Sequence, residues 1–205
     1  MERRRALRDI IKMIVVLTVI SMVMGTTLSI VESVTREPIA YSRLKFVKGP
    51  AVLDVLDNCE NDPIKDYQKD VVVEEKPGLK ATKSIFPAKK NGQAFAIAFE
   101  VTGHGYRGDI GIMVGIDLKT GLLTGMRVIT HSETPGLGAR AVQPEFYNQF
   151  NGLGIQEADL TSKGGKIDAI SGATITSTGV VDAIKEALDL FARNKESIMS
   201  AVGAG

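Results

Sequence analysis

The hydrophobic positions of this chain take three forms, and each form predicts a different kind of element. From Ile10 to Val31 the run IIKMIVVLTVISMVMGTTLSIV is apolar on every side, with Lys12 as its only charge. As a helix, those 22 residues span about 33 Å, matching a hydrocarbon core of roughly 30 Å. Lys12 falls in the first turn, where its stem reaches back to the headgroups. Further on, the period drops to two. Phe95, Ile97, Phe99 and Val101 alternate with Ala94, Ala96, Ala98 and Glu100. Ile110, Ile112, Val114, Ile116 and Leu118 recur at every second position, with Gly111, Gly115 and Asp117 as small or polar residues between, as in a strand. Lys119-Thr120-Gly121 supplies a turn, and Leu122 to Ile129 reads as the return strand of an antiparallel hairpin. After Thr178 the period becomes helical. Val180, Val181, Ile184, Leu188 and Phe191 fall on one stripe, with Asp182, Lys185, Glu186 and Asp189 elsewhere.

These patterns divide the chain into a basic N-terminus (1–9), a transmembrane helix (10–31), a linker or short amphipathic lead-in (32–50) broken by Pro38 and Pro50, and one folded domain (51–205). The domain opens on a short helix carrying Val52, Leu53, Val55 and Leu56, which Pro63 ends. Strands followed by a terminal helix, without βαβ alternation, predict an α+β fold: an antiparallel sheet with a C-terminal amphipathic helix. No GxGxxG follows a strand, which disfavours a doubly wound nucleotide fold.

Charge gives the first segment a direction. Residues 1–12 hold Arg3, Arg4, Arg5, Arg8 and Lys12 against Glu2 and Asp9. A basic flank ahead of the apolar run keeps the N-terminus cytoplasmic and sends the remainder across. A cleaved signal peptide would have a shorter apolar region and a small-x-small site, and TTLSIVES is a poor one. The expectation is an uncleaved, single-pass anchor in the cytoplasmic membrane, in contact with lipid, with the folded domain outside the cytoplasm. The whole chain carries 25 basic and 24 acidic residues and no Trp, with no basic stripe, so nucleic acid is not an expected partner. Cys59 alone cannot form an internal disulfide or a cysteine-based metal centre, and His104 and His131 leave little for a histidine one. No metal is expected.

Chemistry concentrates in three loops. Asp168 to Gly179 (DAISGATITSTG) packs hydroxyls and small residues directly ahead of the amphipathic helix. A helix start offers unpaired N–H groups and the positive end of the dipole, which favours a phosphate; a plain Ser/Thr cap fits the pattern as well. His131 to Arg140 (HSETPGLGAR) follows the hairpin with one proline and two glycines, exposing backbone N–H groups. Its His131 and Glu133 form a candidate acid/base pair without a nucleophile, and an ordinary turn explains the segment equally. His104 to Gly108 is a third glycine-flanked loop, or a simple strand connection.

The run Ser171-Gly172-Ala173-Thr174 resembles the flavinylation motif of the flavin-bearing subunits of Rnf and Nqr redox pumps, and Asp168 fits its acidic start. Glu133-Thr134-Pro135-Gly136-Leu137-Gly138 resembles the ETPGLG loop of the same domain. Gly105-Tyr106 with Gly108, and Phe146 to Gly152, are weaker echoes. The resemblance implies FMN joined by a phosphoester to Thr174. It also implies that Ser171, Gly172, Ala173, Thr176, Glu133, Thr134 and Leu137 help bind it. No catalytic side chain is expected, because the redox chemistry belongs to the cofactor.

Within that family the compact length favours the G subunits of Rnf-type complexes. The implied role is electron carriage in a translocase that couples ferredoxin/NAD electron transfer to Na+ or H+ movement, with no complete catalytic site in this chain. Implied partners are the other membrane subunits and, during maturation, a flavin transferase. Alternatives are the C subunit of a Na+-translocating NADH:quinone reductase, a membrane-anchored FMN sensor or regulatory module, and an anchored scaffold without flavin.

Overall fold

In the computed structural model, which describes residues 2–76 and 78–204, the chain divides into two units, Met1–Leu44 and Lys45–Gly205. The first is a single helix, α1 (Glu2–Arg43). Its stretch Arg8–Arg36 has a mean hydropathy of 2.3, is not buried, and is long and apolar enough to cross a membrane. Three threonine hydroxyls inside that stretch are satisfied within the helix. Thr18, Thr26 and Thr27 each donate to the carbonyl four residues back at 2.8 Å, which spares hydrocarbon an unpaired donor.

Residues 32–50, expected as a linker or short amphipathic lead-in broken at its prolines, are helical throughout. α1 runs through Pro38, a five-residue π-helical turn follows at Leu44–Lys48, and α2 spans Gly49–Val55. A proline removes one backbone donor from a helix without ending it. Pro50 sits in the first turn of α2, where its missing N–H costs nothing.

The second unit is built on a five-stranded antiparallel meander: β1 (Gln68–Lys76), β2 (Leu79–Lys90), β3 (Gln93–His104), β4 (Asp109–Asp117) and β5 (Leu123–Thr130), in that spatial order. The predicted hairpin is β4–β5. Asp117 Oδ1 accepts from the N–H groups of Lys119 and Thr120, and Gly121 takes φ +71° to close the turn. β1 and β2 were not expected.

Register sorts the side chains into two faces. Ile85, Phe99, Val114 and Met126 pair in one row across β2 to β5, and Phe86, Ala98, Gly115 and Gly125 in the next. The first row joins the main core with Val180, Val181, Ile184, Leu188 and Phe191 from α4 (Thr174–Val202). The predicted stripe therefore faces the sheet. On the other face α2 lies over the glycines: a Cβ at Gly115 would come within 2.6 Å of the Val55 carbonyl oxygen.

Two contacts bring the start of α4 to one end of β3. A Cβ on Gly103 would come within 2.6 Å of the Gly179 carbonyl oxygen, and one on Gly179 would collide with the His104 carbonyl. Helix and strand touch backbone to backbone there, which only glycine permits. Farther along, Asn194 closes α4 on the edge strand. Its Oδ1 accepts from Glu74 N–H at 2.7 Å, and its Nδ2 donates to Glu74 O at 3.0 Å. The loop before α4 is tied back by Lys185, which reaches Asp159 at 2.7 Å.

α4 begins at Thr174, earlier than the stripe after Thr178 suggests. Ser and Thr are indifferent helix formers, and tertiary packing overrides that preference here. Thr176 and Ser177 are fully buried in the first turn.

Candidate functional site

Three loops converge on the start of α4: the β3–β4 connection at 105–108, the segment after β5 at 131–137, and residues 170–173. Glu133 ties them together. Its Oε1 accepts from the Arg107 N–H at 2.8 Å, and its Oε2 accepts from the Thr176 hydroxyl at 2.6 Å. Gly105 and Gly138 flank the carboxylate so closely that a Cβ at either would run into it. The glycines of both loops thus make room for one buried acidic group.

Of the hydroxyls of the 168–179 segment, those of Thr176 and Ser177 are buried and bonded, whereas exposed Ser171 and Thr174 and half-buried Thr178 have no side-chain partner among the described residues. Thr176 is spent on Glu133. Ser177 accepts from the Ile170 N–H at 2.9 Å and donates to the Ala173 carbonyl at 3.0 Å, which fastens the preceding loop to the helix. Neither caps α4. The N-cap position is Ala173, without a side-chain bond. Thr174 is exposed, and its hydroxyl has no partner among the described residues. The first intrahelical bond runs from Ser177 N–H to Ala173 O. The N–H groups of Thr174, Ile175 and Thr176 have no hydrogen-bond partner among the described residues. A 29-residue helix therefore presents its positive end and free donors beside an unengaged hydroxyl, a setting that suits an anionic phosphate.

Thr174 borders a cleft of about 460 Å³, within the range of small-molecule sites. Glu133, Thr134, Leu137, Gly172, Ala173, Thr174 and Thr176 all line it, together with Tyr106, Gly138 and Ile175. Tyr106, Leu137 and Ile175 are largely exposed apolar surfaces around the opening, suited to the faces of a flat aromatic ring. Ser171 lies outside this cleft, in a neighbouring depression of about 210 Å³ with Arg140, Gln149 and Asp168. There the Asp168 backbone is held at both polar groups by the Gln149 amide. Ile175 was not among the residues expected; its position off the buried stripe of α4 was the available signal. Tyr106 was visible only as part of a glycine-flanked loop.

The acid/base pairing of His131 with Glu133 is not formed. His131 Nδ1 accepts from the Glu133 backbone N–H at 3.3 Å, while the carboxylate turns to Arg107 and Thr176. His104 is paired with Asp109 at 2.8 Å on the exposed surface. Among the described residues no cluster of His, Cys, Asp or Glu suits a metal ion. Two ion pairs away from the site act on carboxyl groups. The Lys185 hydrogen bond, helped by the Leu160 N–H, lowers that of Asp159, and the Lys166 hydrogen bond lowers that of Glu157.

A cleft of this size, with a free hydroxyl, unpaired N–H groups and exposed apolar walls, defines a binding domain for a flat, phosphate-bearing ligand. The chain matches the FMN-binding domain family over residues 105–189, which span all three loops and the start of α4. It is 33% identical over 183 residues to the G subunit of the ion-translocating oxidoreductase complex of Methanosarcina acetivorans, covering 89% of this chain and 94% of that one. It is 32% identical over 176 residues to the protein of the same name from Shewanella piezotolerans, covering 80% and 82%. The chain belongs to this family of G subunits, as an FMN-binding subunit of an ion-translocating oxidoreductase complex. The fold is also that of Shewanella oneidensis NqrC, with a TM-score of 0.58 and 15% identity over 78% of this chain and 99% of that one. An exposed apolar helix of this length, in a member of this family, associates the chain with a membrane.

Proposed function

We propose that the chain carries electrons within an ion-translocating redox complex of the Rnf type, using FMN held by a phosphoester on the Thr174 hydroxyl. One observation carries this reading. Of the hydroxyls in the first turn of α4, Thr174 is exposed and without a partner among the described residues, whereas Thr176 and Ser177 are buried and bonded. When bound, FMN supplies reversible one- and two-electron chemistry, and the protein supplies binding and orientation. The free N–H groups of Thr174, Ile175 and Thr176 hold the phosphate's charge. Tyr106, Leu137 and Ile175 flank the ring, Thr134 lines the same wall, and Gly172, at φ +78°, turns the chain so that Ala173 keeps the neighbouring volume small. Attachment prevents dissociation of the flavin whatever its redox state. The poverty in catalytic side chains follows, because an electron relay needs no general acid or base.

The relatives' shared name, as the G subunits of ion-translocating oxidoreductase complexes, supports the other membrane subunits as partners, and a flavin transferase is required for attachment. The reading takes ferredoxin and NAD as the ends of the electron path and Na+ or H+ as the translocated ion. The Arg-rich flank of α1 supports a cytoplasmic N-terminus, an uncleaved anchor in contact with lipid, and an FMN domain on the outer side. A reporter pair fused to the C-terminus tests this arrangement: a phosphatase active only outside the cytoplasm is expected to work, and a fluorescent protein that folds only in the cytoplasm is expected to stay dark. The reverse result sinks the orientation and the outer placement of the flavin.

A further inference from the structure

Glu133 is the only buried charged side chain among the described residues. Its two oxygens act as acceptors, from Arg107 N–H and the Thr176 hydroxyl, which is the bonding pattern of an ionised carboxylate. No Lys, Arg or His of the described residues forms an ion pair with it. A buried charge without a countercharge is costly, and two neutral donors offset only part of that. Tying three loops together does not require a charge, because a glutamine has the same length and one acceptor oxygen. The carboxylate also lines the cleft itself, where its field acts on whatever lies there through a medium less screening than water.

We infer that Glu133 is a positioning residue with a second effect: its fixed negative charge lowers the reduction potential of the bound flavin. The inference rests on the FMN ring lying in the cleft beside Thr174. Full reduction adds two electrons from an outside donor and one proton from solvent, leaving the ring with one added negative charge; a second proton neutralises it. A fixed anion in the wall raises the energy of the negatively charged product and leaves the neutral oxidised ring nearly unaffected. Reduction is therefore less favourable with the carboxylate than without it. The cleft's glycines serve this arrangement: a side chain at Gly105 or Gly138 would displace the carboxylate.

The test uses the full-length, detergent-solubilised protein produced together with a flavin transferase, and reads the midpoint potential by spectroelectrochemical titration. Glu133→Gln keeps the fluorescence that survives denaturing electrophoresis, and its potential is higher than that of the unaltered protein. The difference persists in about 1 M salt, where exposed charges are screened within roughly 3 Å. Thr176→Val removes one bond to the carboxylate but keeps its charge, so its potential does not rise. Equal potentials in Glu133→Gln and the unaltered protein would overturn the inference. So would a rise in Thr176→Val as large as that in Glu133→Gln, a difference that disappears in high salt, or loss of covalent flavin from folded Glu133→Gln. Failure of the underlying reading has its own signature, namely unaltered protein with no FMN or with FMN away from Thr174.

Discussion

The two faces of the first turn of α4 each carry a threonine and have opposite environments. On the inner face, Thr176 and Ser177 are fully buried, and each hydroxyl has a partner on another segment: Glu133 for the first, Ile170 for the second. On the outer face, Thr174 and Ile175 are exposed, beside N–H groups that nothing in the described protein satisfies. The inner hydroxyls hold the site together, and the outer one is free to be modified. A dense run of Ser and Thr can therefore combine buried, bonded positions and an open one within a single turn, and burial tells these apart.

The largest break in this comparison comes from the outer face. Thr174→Ala is expected to abolish the flavin fluorescence that survives denaturing electrophoresis, while the chain stays folded with an unchanged unfolding temperature. Retained fluorescence would mean that another hydroxyl carries the flavin.

Next is the contact that seats the turn against the sheet. Gly179→Ala places a methyl group against the His104 carbonyl, and overpacking of this kind costs about 2–3 kcal/mol. That exceeds the gain of about 1 kcal/mol for alanine over glycine inside a helix. Chemical unfolding of the flavin-loaded protein measures the net loss, and a stabilised variant would contradict the backbone contact.

A smaller loss is expected on the inner face. Ser177→Ala leaves the Ile170 N–H without its acceptor and costs about 1–2 kcal/mol. The covalent flavin remains, which is the opposite outcome to Thr174→Ala. A variant that keeps full stability but loses the flavin would reverse the roles of the two faces.

The smallest effect lies away from both faces. The Lys185 hydrogen bond lowers the pKa of Asp159 in the folded state, so this group stabilises the fold above its unfolded pKa and loses that contribution as pH falls through the lower, folded value. The difference in unfolding temperature between the unaltered protein and Asp159→Asn is expected to hold at neutral pH. It narrows only below the ordinary aspartate range, about pH 4. A gap that is constant down to acid would show that the ion pair contributes nothing.

How much of this was legible in the sequence follows from where period and burial coincide. β3, β4 and β5 are buried on the face toward α4, so their alternation survives in the residues; the α4 stripe does so too. β1 (QKDVVVEEK) and most of β2 (LKATKSIFPAKK) are edge-side strands with many charged residues. Val73 is the one fully buried hydrophobic residue of β1, and a single inward residue makes no period. Pro38 and Pro50 read as breaks, yet one is accommodated inside α1 and the other begins α2. At the site, Ser-Gly-Ala-Thr and the Glu133 loop could be named from their residues. What could not be read was that Glu133 and Thr176, distant in sequence, share a hydrogen bond, or that Ser171 lines a neighbouring depression and not the cleft. Those facts depend on Gly103 and Gly179 letting α4 settle against β3, a contact between backbones that side-chain patterns do not record.

The central claim is that the outer hydroxyl of this turn, and no other, carries the flavin. Protein produced with a flavin transferase can be digested and its peptides sequenced by tandem mass spectrometry. The mass of an FMN phosphoester is expected on Thr174 within the peptide that follows Lys166, with Ser171, Thr176, Ser177 and Thr178 unmodified. The same mass on any of those four residues, or its absence from the peptide altogether, would contradict it.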